Sequence, residues 1–441
     1  MNAYSETLEI AQTLIRFDTS NDGRDVIEKP AADYVMDLLG EVGLEPEYLG
    51  PTPGRPSVVV RIPGKKREVE VDPVTGERRG AVVIHGHTDV VPAVARDWSV
   101  DPFGGVVKDG FLWGRGAVDM KNMDAMILAV VREIARTGYV PPRDLIIGMF
   151  ADEEAGGHQG CRWLVEHHPE LFEGATHAIS EVGGYNTYVN GERVYLLQTG
   201  EKALTWYTFR AEGKAGHGSQ INNDNAIAKL SRALVALDSE PWPLTLTDTV
   251  TKLLQGTSEI SGLPFDPDDE ASINALVNAL GPAKAYVGAT LRTGCNLTSF
   301  NGGYMQNVVP GSAEATADVR AIPGTEREVA RRIEELTEGI EVGWLSSMDG
   351  YESTTEGSFV EAMTAAVLAK DPGAHVLPYL LSAGTDNKAL GSLGIEGYGF
   401  SPVRLPEGFD FPAMFHGVDE RVPVDSLAFG AEVLREFIDR L

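Results

Sequence analysis

"DLIIGMFADEEAGG", residues 144–157, runs an apolar segment straight into three adjacent carboxylates, Asp152, Glu153 and Glu154. The apolar part does not alternate with polar residues, so it reads as a central strand covered on both faces. Three side-by-side acids repel one another, and the end of a core strand is an expensive place to collect them. Taken alone, "DEE" is as well explained by a solvated loop or a first helical turn, where acids suit the helix dipole.

Working outward, "SVVVRI" (57–62), "GAVVIHG" (80–86) and "THAISEV" (176–182) are further short apolar runs fit for central strands. Between "GAVVIHG" and "DLIIGMF" lies "MKNMDAMILAVVREIARTG", in which Met123, Met126, Ile127, Val130, Val131 and Ile134 recur at helical spacing. Its methionines read as core filling. The start, "MNAYSETLEIAQTLIRFDTSN", has the pattern of an amphipathic helix, and "GKKREVEVDPVTGERRG" (64–80) that of an exposed hairpin or loop. This alternation predicts an α/β domain. From about residue 202 the texture changes. "LTWYTFRAEG" and "GSAEATADVRAIPG" alternate like strands with one wet face, and "NDNAIAKLSRALVALD" and "TEREVARRIEELTEG" are helices. After about 346 the α/β texture resumes, with "IEGYGFSPV" as a strand and "VDSLAFGAEVLREFIDRL" as a closing helix. The fold class expected is α/β: a central mixed, mostly parallel sheet flanked by helices, with a smaller α+β domain inserted. The boundaries are 1–201 and 346–441 for the two parts of the catalytic domain and 202–345 for the insert.

A chain of 441 residues is too long for one hydrophobic core, which agrees with two domains. Its 65 acidic against 37 basic residues leave a formal charge of -28, a field that repels phosphate backbones and anionic lipid. No nucleic-acid or membrane partner is expected. No apolar run approaches the roughly 18 residues of a membrane span, and the start lacks signal-peptide features. With only Cys161 and Cys295, there is no disulfide framework. A cytoplasmic location is the expectation.

Three of the expected strands end in residues that bind metals: His87 and Asp89 after the second, Asp152–Glu154 after the third, Glu181 after the fourth. Asp119 follows "GRGAV" at the start of the methionine-rich helix. In open α/β sheets ligands collect beyond the carboxyl ends of the strands. Loops converging there with this many acids make a negative well that a bound cation stabilises. The glycines of "GRGAVD" do not make a nucleotide fingerprint, because Asp119 stands where the last glycine belongs and no strand leads into the motif.

The motifs "GHTDVVP", "WSVDPFGGVVKDGFLWGRGAVDMK", "DEEAGG", "EVGG", "GKAGHGS", "NVVPG", "DVR", "GTDN" and "HGVDERV" occur in that order over nearly the whole chain. In them the chain resembles the co-catalytic zinc amidohydrolases: aminoacylases, acetylornithine deacetylases, succinyl-diaminopimelate desuccinylases and glutamate carboxypeptidases. The resemblance implies a zinc-exopeptidase-like catalytic domain and two zinc ions per chain, with cobalt or manganese as alternatives. It implies that His87 and Glu181 hold one metal, Glu154 and His416 the other, and that Asp119 bridges both. Asp89 would orient the His87 ring, and Glu153 would be the general base and acid acting on a metal-bridged water. His217 in "GKAGHGS", Asn307 in "NVVPG", Arg320 in "DVR" and Gly384 and Thr385 in "GTDN" would contact substrate. His217 would act on the site of a neighbouring subunit, so a homodimer through the insert is implied.

Read for itself, His217 could cap a turn and Arg320 could pair on a solvated strand. His85 is expected to pack near the site, whereas His158, His167, His168, His177 and His375 are expected on the surface or in loops. The long section before "NVVPG" resembles the branch of carboxypeptidase S and N-acyl-amino-acid hydrolases. It would either enlarge the dimer interface, pack on the lid, or shape an acyl pocket. The resemblance points to an amide cleaved beside a free carboxylate, N-acyl-L-amino acids leading. Dipeptide or carboxypeptidase action, a biosynthetic deacetylase or desuccinylase, and an inactive binding protein of the same fold are the alternatives. The role of Asp152 stays open between support of the site and a solvated turn.

Overall fold

The computed structural model describes residues 3–23 and 27–441. The expected N-terminal helix spans Ala3–Arg16; the first two residues of that reading lie outside the described residues.

The non-alternating runs form the middle of the large sheet. Strands Ser57–Ile62, Leu145–Phe150, Ala81–His87, Ala175–Ser180 and Glu396–Gly399 are neighbours in that order, followed by Glu192–Glu201 and Tyr185–Val189. Leu145–Phe150, Ala81–His87 and Ala175–Ser180 are buried at every residue. These three and Glu396–Gly399 run parallel, while the flanking pairings with Ser57–Ile62 and Glu192–Glu201 are antiparallel. The sheet is therefore mixed, with its parallel stretch in the centre. His375–Leu381 adds a further parallel pairing to Glu192–Glu201.

Helices cover both faces, which is why these strands carry no polar side. On one face, Ala3–Arg16, Lys121–Thr137 and Val424–Asp439 pack together, and the methionine-rich helix is sealed by Gly138, whose left-handed backbone ends it. On the other, Val83, Ile146 and Phe150 meet Leu164, Phe172 and Leu390 in a separate core.

A second, four-stranded antiparallel sheet is built from Leu204–Glu212, Gly294–Gly302, Ser312–Arg320 and Glu341–Met348. The alternation of "LTWYTFRAE" and "SAEATADVR" is met here: one side faces helices Ala226–Asp238 and Glu326–Leu336 in a small core, the other is wet.

The long section does not pack on the lid sheet. Helices Asp248–Ser261, Glu270–Ala279 and Lys284–Gly288 send Val250, Leu253, Ile273, Leu276 and Val287 into the large core, together with Leu196 and Leu380. Amphipathicity announced that these helices had an apolar face but not which core would receive it. His177 is a second departure. It is buried in strand Ala175–Ser180 and stacked on Phe359 with ring centroids 4.2 Å apart; a lone histidine in an apolar run gives no sign of such a ring partner.

Candidate functional site

His87 ends one central strand, and Asp152–Glu154 follow the next. The loop that carries these acids is kept close by two glycines just after them: Gly157 adopts φ +67, and a Cβ on Gly160 would lie 1.6 Å from the Ala151 carbonyl oxygen. Glu181 follows the third strand, and Asp119 precedes the methionine-rich helix. All four are thus delivered to one end of the parallel strands, as the sequence placed them.

There Asp119 faces two imidazoles. Its Oδ1 is 3.1 Å from His87 Nε2 and its Oδ2 is 3.3 Å from His416 Nε2. His87 Nε2 is also 3.4 Å from Glu181 Oε1, and His416 Nε2 is 3.2 Å from Glu154 Oε2. Glu153 Oε2 stands 4.0 Å from His87 Nε2. His87, Asp119 and Glu154, and likewise His87, Glu153 and Glu181, form groups whose ligand atoms are close enough to hold a metal ion. Apart from His416, which is half exposed, these side chains are largely buried.

Burial sets the electrostatics. It pushes Glu181 well above the usual carboxylate range, reinforced by the Asp119 charge, and pushes Glu153 up in the same way. Burial works against protonated His87, but the Glu181 charge, the hydrogen bond to Asp119 and the nearby Asp89 carboxylate outweigh it and raise its pKa well above the ordinary value. Hydrogen bonds to Asp119 and Glu154 raise His416 to about 10. So many carboxylates in one buried volume make a site that a divalent cation neutralises.

Asp89 does more than orient one ring. His87 Nδ1 lies 3.0 Å from the Asp89 carbonyl oxygen and 3.4 Å from Oδ1, so the shorter, backbone contact is the hydrogen bond. The carboxylate instead accepts the backbone N–H groups of Glu153 and Glu154, at 3.2 and 3.1 Å, and the Asn21 amide. It therefore positions the acid loop as well as the imidazole. Asp152, with φ 66, is bound by Arg55 at 2.9 Å, by Asn21, and by the Gln159 N–H. It is a buried support of the loop and not a solvated turn residue.

Of the substrate-contact candidates, Arg320, Gly384 and Thr385 line one cavity of about 240 Å³ with Glu153, Glu154 and His416. Asp318 occupies the Nε and Nη2 edge of Arg320, at 2.6 and 3.0 Å, leaving Nη1. His217 and Asn307 are not brought to this cavity in the same chain. Both are exposed, His217 on the short ladder Gly216–His217 with Val308–Val309 and Asn307 in the turn just before it, and His217 bonds Ser219. His85 sits behind the site, bonded to Asn387 at 2.9 Å.

Three residues without a role in the sequence reading emerge. Glu420, fully buried, accepts N–H groups from Gly116, Val118 and Asp119 and pairs with Arg115, fixing the loop that carries Asp119. Glu201, also fully buried, accepts from the Thr385 N–H and hydroxyl and from Tyr351, fixing the "GTDN" loop. Arg162 lines the cavity with no acidic partner among the described residues. Glu420 lies inside a motif already singled out; nothing in the sequence distinguished Glu201 or Arg162.

The parallel-centred sheet, the inserted smaller sheet and the imidazole–carboxylate cluster at the strand ends together describe a metal-dependent amidohydrolase. Residues 83–440 match peptidase family M20/M25/M40, and the chain belongs to that family. It is 26% identical over 387 residues to aminoacylase-1 of Sus scrofa, covering 86% of this chain and 84% of that one. It is 27% identical over 370 residues to an N-fatty-acyl-amino acid synthase/hydrolase of Xenopus tropicalis, covering 80% and 70%. Its fold superposes on an M20 family metallo-carboxypeptidase from Sulfolobus solfataricus with a TM-score of 0.72 at 15% identity, covering 98% of each chain. No described helix is long and apolar enough to cross a membrane.

Proposed function

We propose that this amidohydrolase cleaves the amide of N-acyl-L-amino acids, releasing the free amino acid, with two divalent ions as cofactors, zinc leading. The observation that carries the reading is the two-sided use of Asp119, one oxygen toward His87 and the other toward His416, each imidazole with its own further carboxylate. His87 with Glu181 would hold one ion, His416 with Glu154 the other, and Asp119 both. The donors fit such ions: mixed imidazole and carboxylate ligands suit zinc, and the same set accepts cobalt or manganese. Glu154 Oε1 is buried with no hydrogen-bond partner among the described residues, the kind of oxygen a cation satisfies. When bound, a pair of ions lowers the pKa of a water and polarises the scissile carbonyl.

The chain's own groups supply the rest. Glu153 has its backbone fixed by Asp89 and no lysine or arginine within ion-pair distance among the described residues, so its carboxylate is free to carry protons. It takes a proton from the attacking water and returns it to the nitrogen of the departing amino acid. Arg320 offers its Nη1 donors to the substrate carboxylate while Asp318 holds the opposite edge. Leu204, Trp206 and Met348 of the smaller sheet give the same cavity an apolar wall for the acyl group or side chain. His217 and Asn307 reach substrate from a second copy in a homodimer. The exposed edge strand Gly294–Gly302, carrying Leu297 and Phe300, supports that assembly.

The test joins metal analysis to a substrate panel. The purified enzyme should carry close to two metals per chain and turn over N-acetyl amino acids faster than dipeptides; the reverse ranking would assign it to peptides. Glu153→Gln should keep its metals and lose more than nine-tenths of turnover. Activity above that level would remove Glu153 from its role.

A further inference from the structure

We propose that Arg162 selects substrates carrying a second anionic group, in addition to the carboxylate beside the scissile amide. The inference rests on the amidohydrolase reading above and names the class of substrate within it. Arg162 stands in the first turn of helix Cys161–His167, on the wall of the cavity that contains Glu153, Glu154 and His416. It also lines a second cavity of about 470 Å³ that shares Met348 and Ala389 with the first and extends toward Lys388 and Tyr351. The guanidinium therefore stands where the reactive cavity opens into further space.

Its neighbours in charge are all committed. Arg320 is paired with Asp318, Arg55 with Glu28 and Asp152, and Arg115 with Glu420. Arg162 makes no ion pair and no side-chain hydrogen bond among the described residues, and its Nη1 is buried without a partner. Acids are near: Glu166 and Asp349 line the outer cavity and Glu153, Glu154 and Asp386 the inner one, yet among the described residues none comes within ion-pair distance of it. A buried charged donor without an acceptor is costly, and an anion arriving with the substrate removes that cost. The stem runs beside the Gly157 turn, where a Cβ would stand at ordinary contact distance, 3.6 Å from Arg162 Cγ.

A guanidinium so held matches a carboxylate through two parallel hydrogen bonds. With Arg320 on the carboxylate beside the amide, Arg162 reads a second one, carried either by a dicarboxylic acyl group or by an acidic amino-acid side chain. The chemistry is the same for both, and the substrates below tell them apart.

The experiment measures kcat/KM of the metal-loaded enzyme, Arg162→Met and Arg162→Lys on three substrates: N-acetyl-methionine, N-succinyl-methionine and N-acetyl-glutamate. The wild type should prefer one of the two anionic substrates. Arg162→Met should reduce that preference at least tenfold, chiefly through KM, and Arg162→Lys should restore part of it. An equal loss on neutral and anionic substrates would make Arg162 a general electrostatic or structural residue and overturn the proposal. Binding gives an independent readout. Calorimetry should show glutarate binding the wild type more tightly than butyrate, with that advantage lost in Arg162→Met. Glutarate binding wild type and variant alike would overturn the role of Arg162. A selective loss of glutarate binding, in an enzyme that turns over none of the three substrates, would uphold Arg162 and reject the N-acyl amino acid reading instead.

Discussion

Glu420→Gln tests whether the Asp119 loop is held from beneath by a single carboxylate. Glu420 Oε1 accepts the N–H groups of Val118 and Asp119 at 2.6 and 3.0 Å; Oε2 accepts Gly116 N and Arg115 Nη1 at 3.1 and 2.7 Å. Glutamine retains one acceptor oxygen, so two donors would meet an NH2 group instead, and Arg115 would lose its buried counter-charge. Hydrogen bonds to a charged group contribute about 1.5–3 kcal/mol each, and breaking a buried pair costs about 3–5 kcal/mol. These overlap, so the expected loss is about 3–5 kcal/mol in all. For a chain of this size that is roughly a 3–5 °C fall in Tm. Asp119 would also be less well aimed, lowering metal affinity about 10–100-fold, as for other groups that orient ligands. Burial, against the pull of Arg115, pushes Glu420 up to about 7, so the comparison belongs at pH 8, where the wild-type carboxylate is ionised. Thermal unfolding and chelator competition read the two effects. A Tm within about 2 °C of wild type together with unchanged metal retention would refute the reasoning.

Glu201→Gln should raise KM more than it lowers kcat, by about tenfold in kcat/KM, because the Thr385 loop loses its shared acceptor; steady-state kinetics decide. Lys202 is driven down to about 7 by burial, with Arg320 adding repulsion. The unfolded chain therefore holds a proton there that the folded one has shed from about pH 7 to the free-lysine value of 10.5. This group makes stability rise with pH across that window. Urea midpoints of Lys202→Met against wild type should diverge there, and parallel profiles would count against the shift. Mixing His217→Ala with Glu153→Gln chains should regenerate activity in heterodimers, each supplying what the other lacks; inactive mixtures would argue that His217 does not cross between subunits.

The continuous apolar runs legible at 57–62, 80–86 and 144–150 became the buried sheet because only strands covered on both faces dispense with polar residues. The alternating runs became the half-wet sheet for the converse reason. His87, Asp119, Glu154 and Glu181 could be placed together because each falls at the carboxyl end of a parallel strand or the start of a helix beside it, a relation that sequence order preserves.

The interior partners were a different matter. Glu420 lies 301 residues beyond the Asp119 N–H it accepts, and Glu201 is 184 residues from Thr385. Each reads locally as one more acid in a chain of 65. That Arg320 has its Nε edge occupied while Arg162 is left unpaired among the described residues depends on which acids the packing brings within about 3 Å. The helices of 248–288 likewise carry an apolar face in their spacing, but the choice between two cores was made by the chain that folded around them. Local pattern determined the elements and the residues at their ends, because periodicity and strand polarity are properties of consecutive residues. Tertiary structure alone decided which buried charge answers which, because hydrogen bonds and ion pairs act over distances unrelated to separation along the chain.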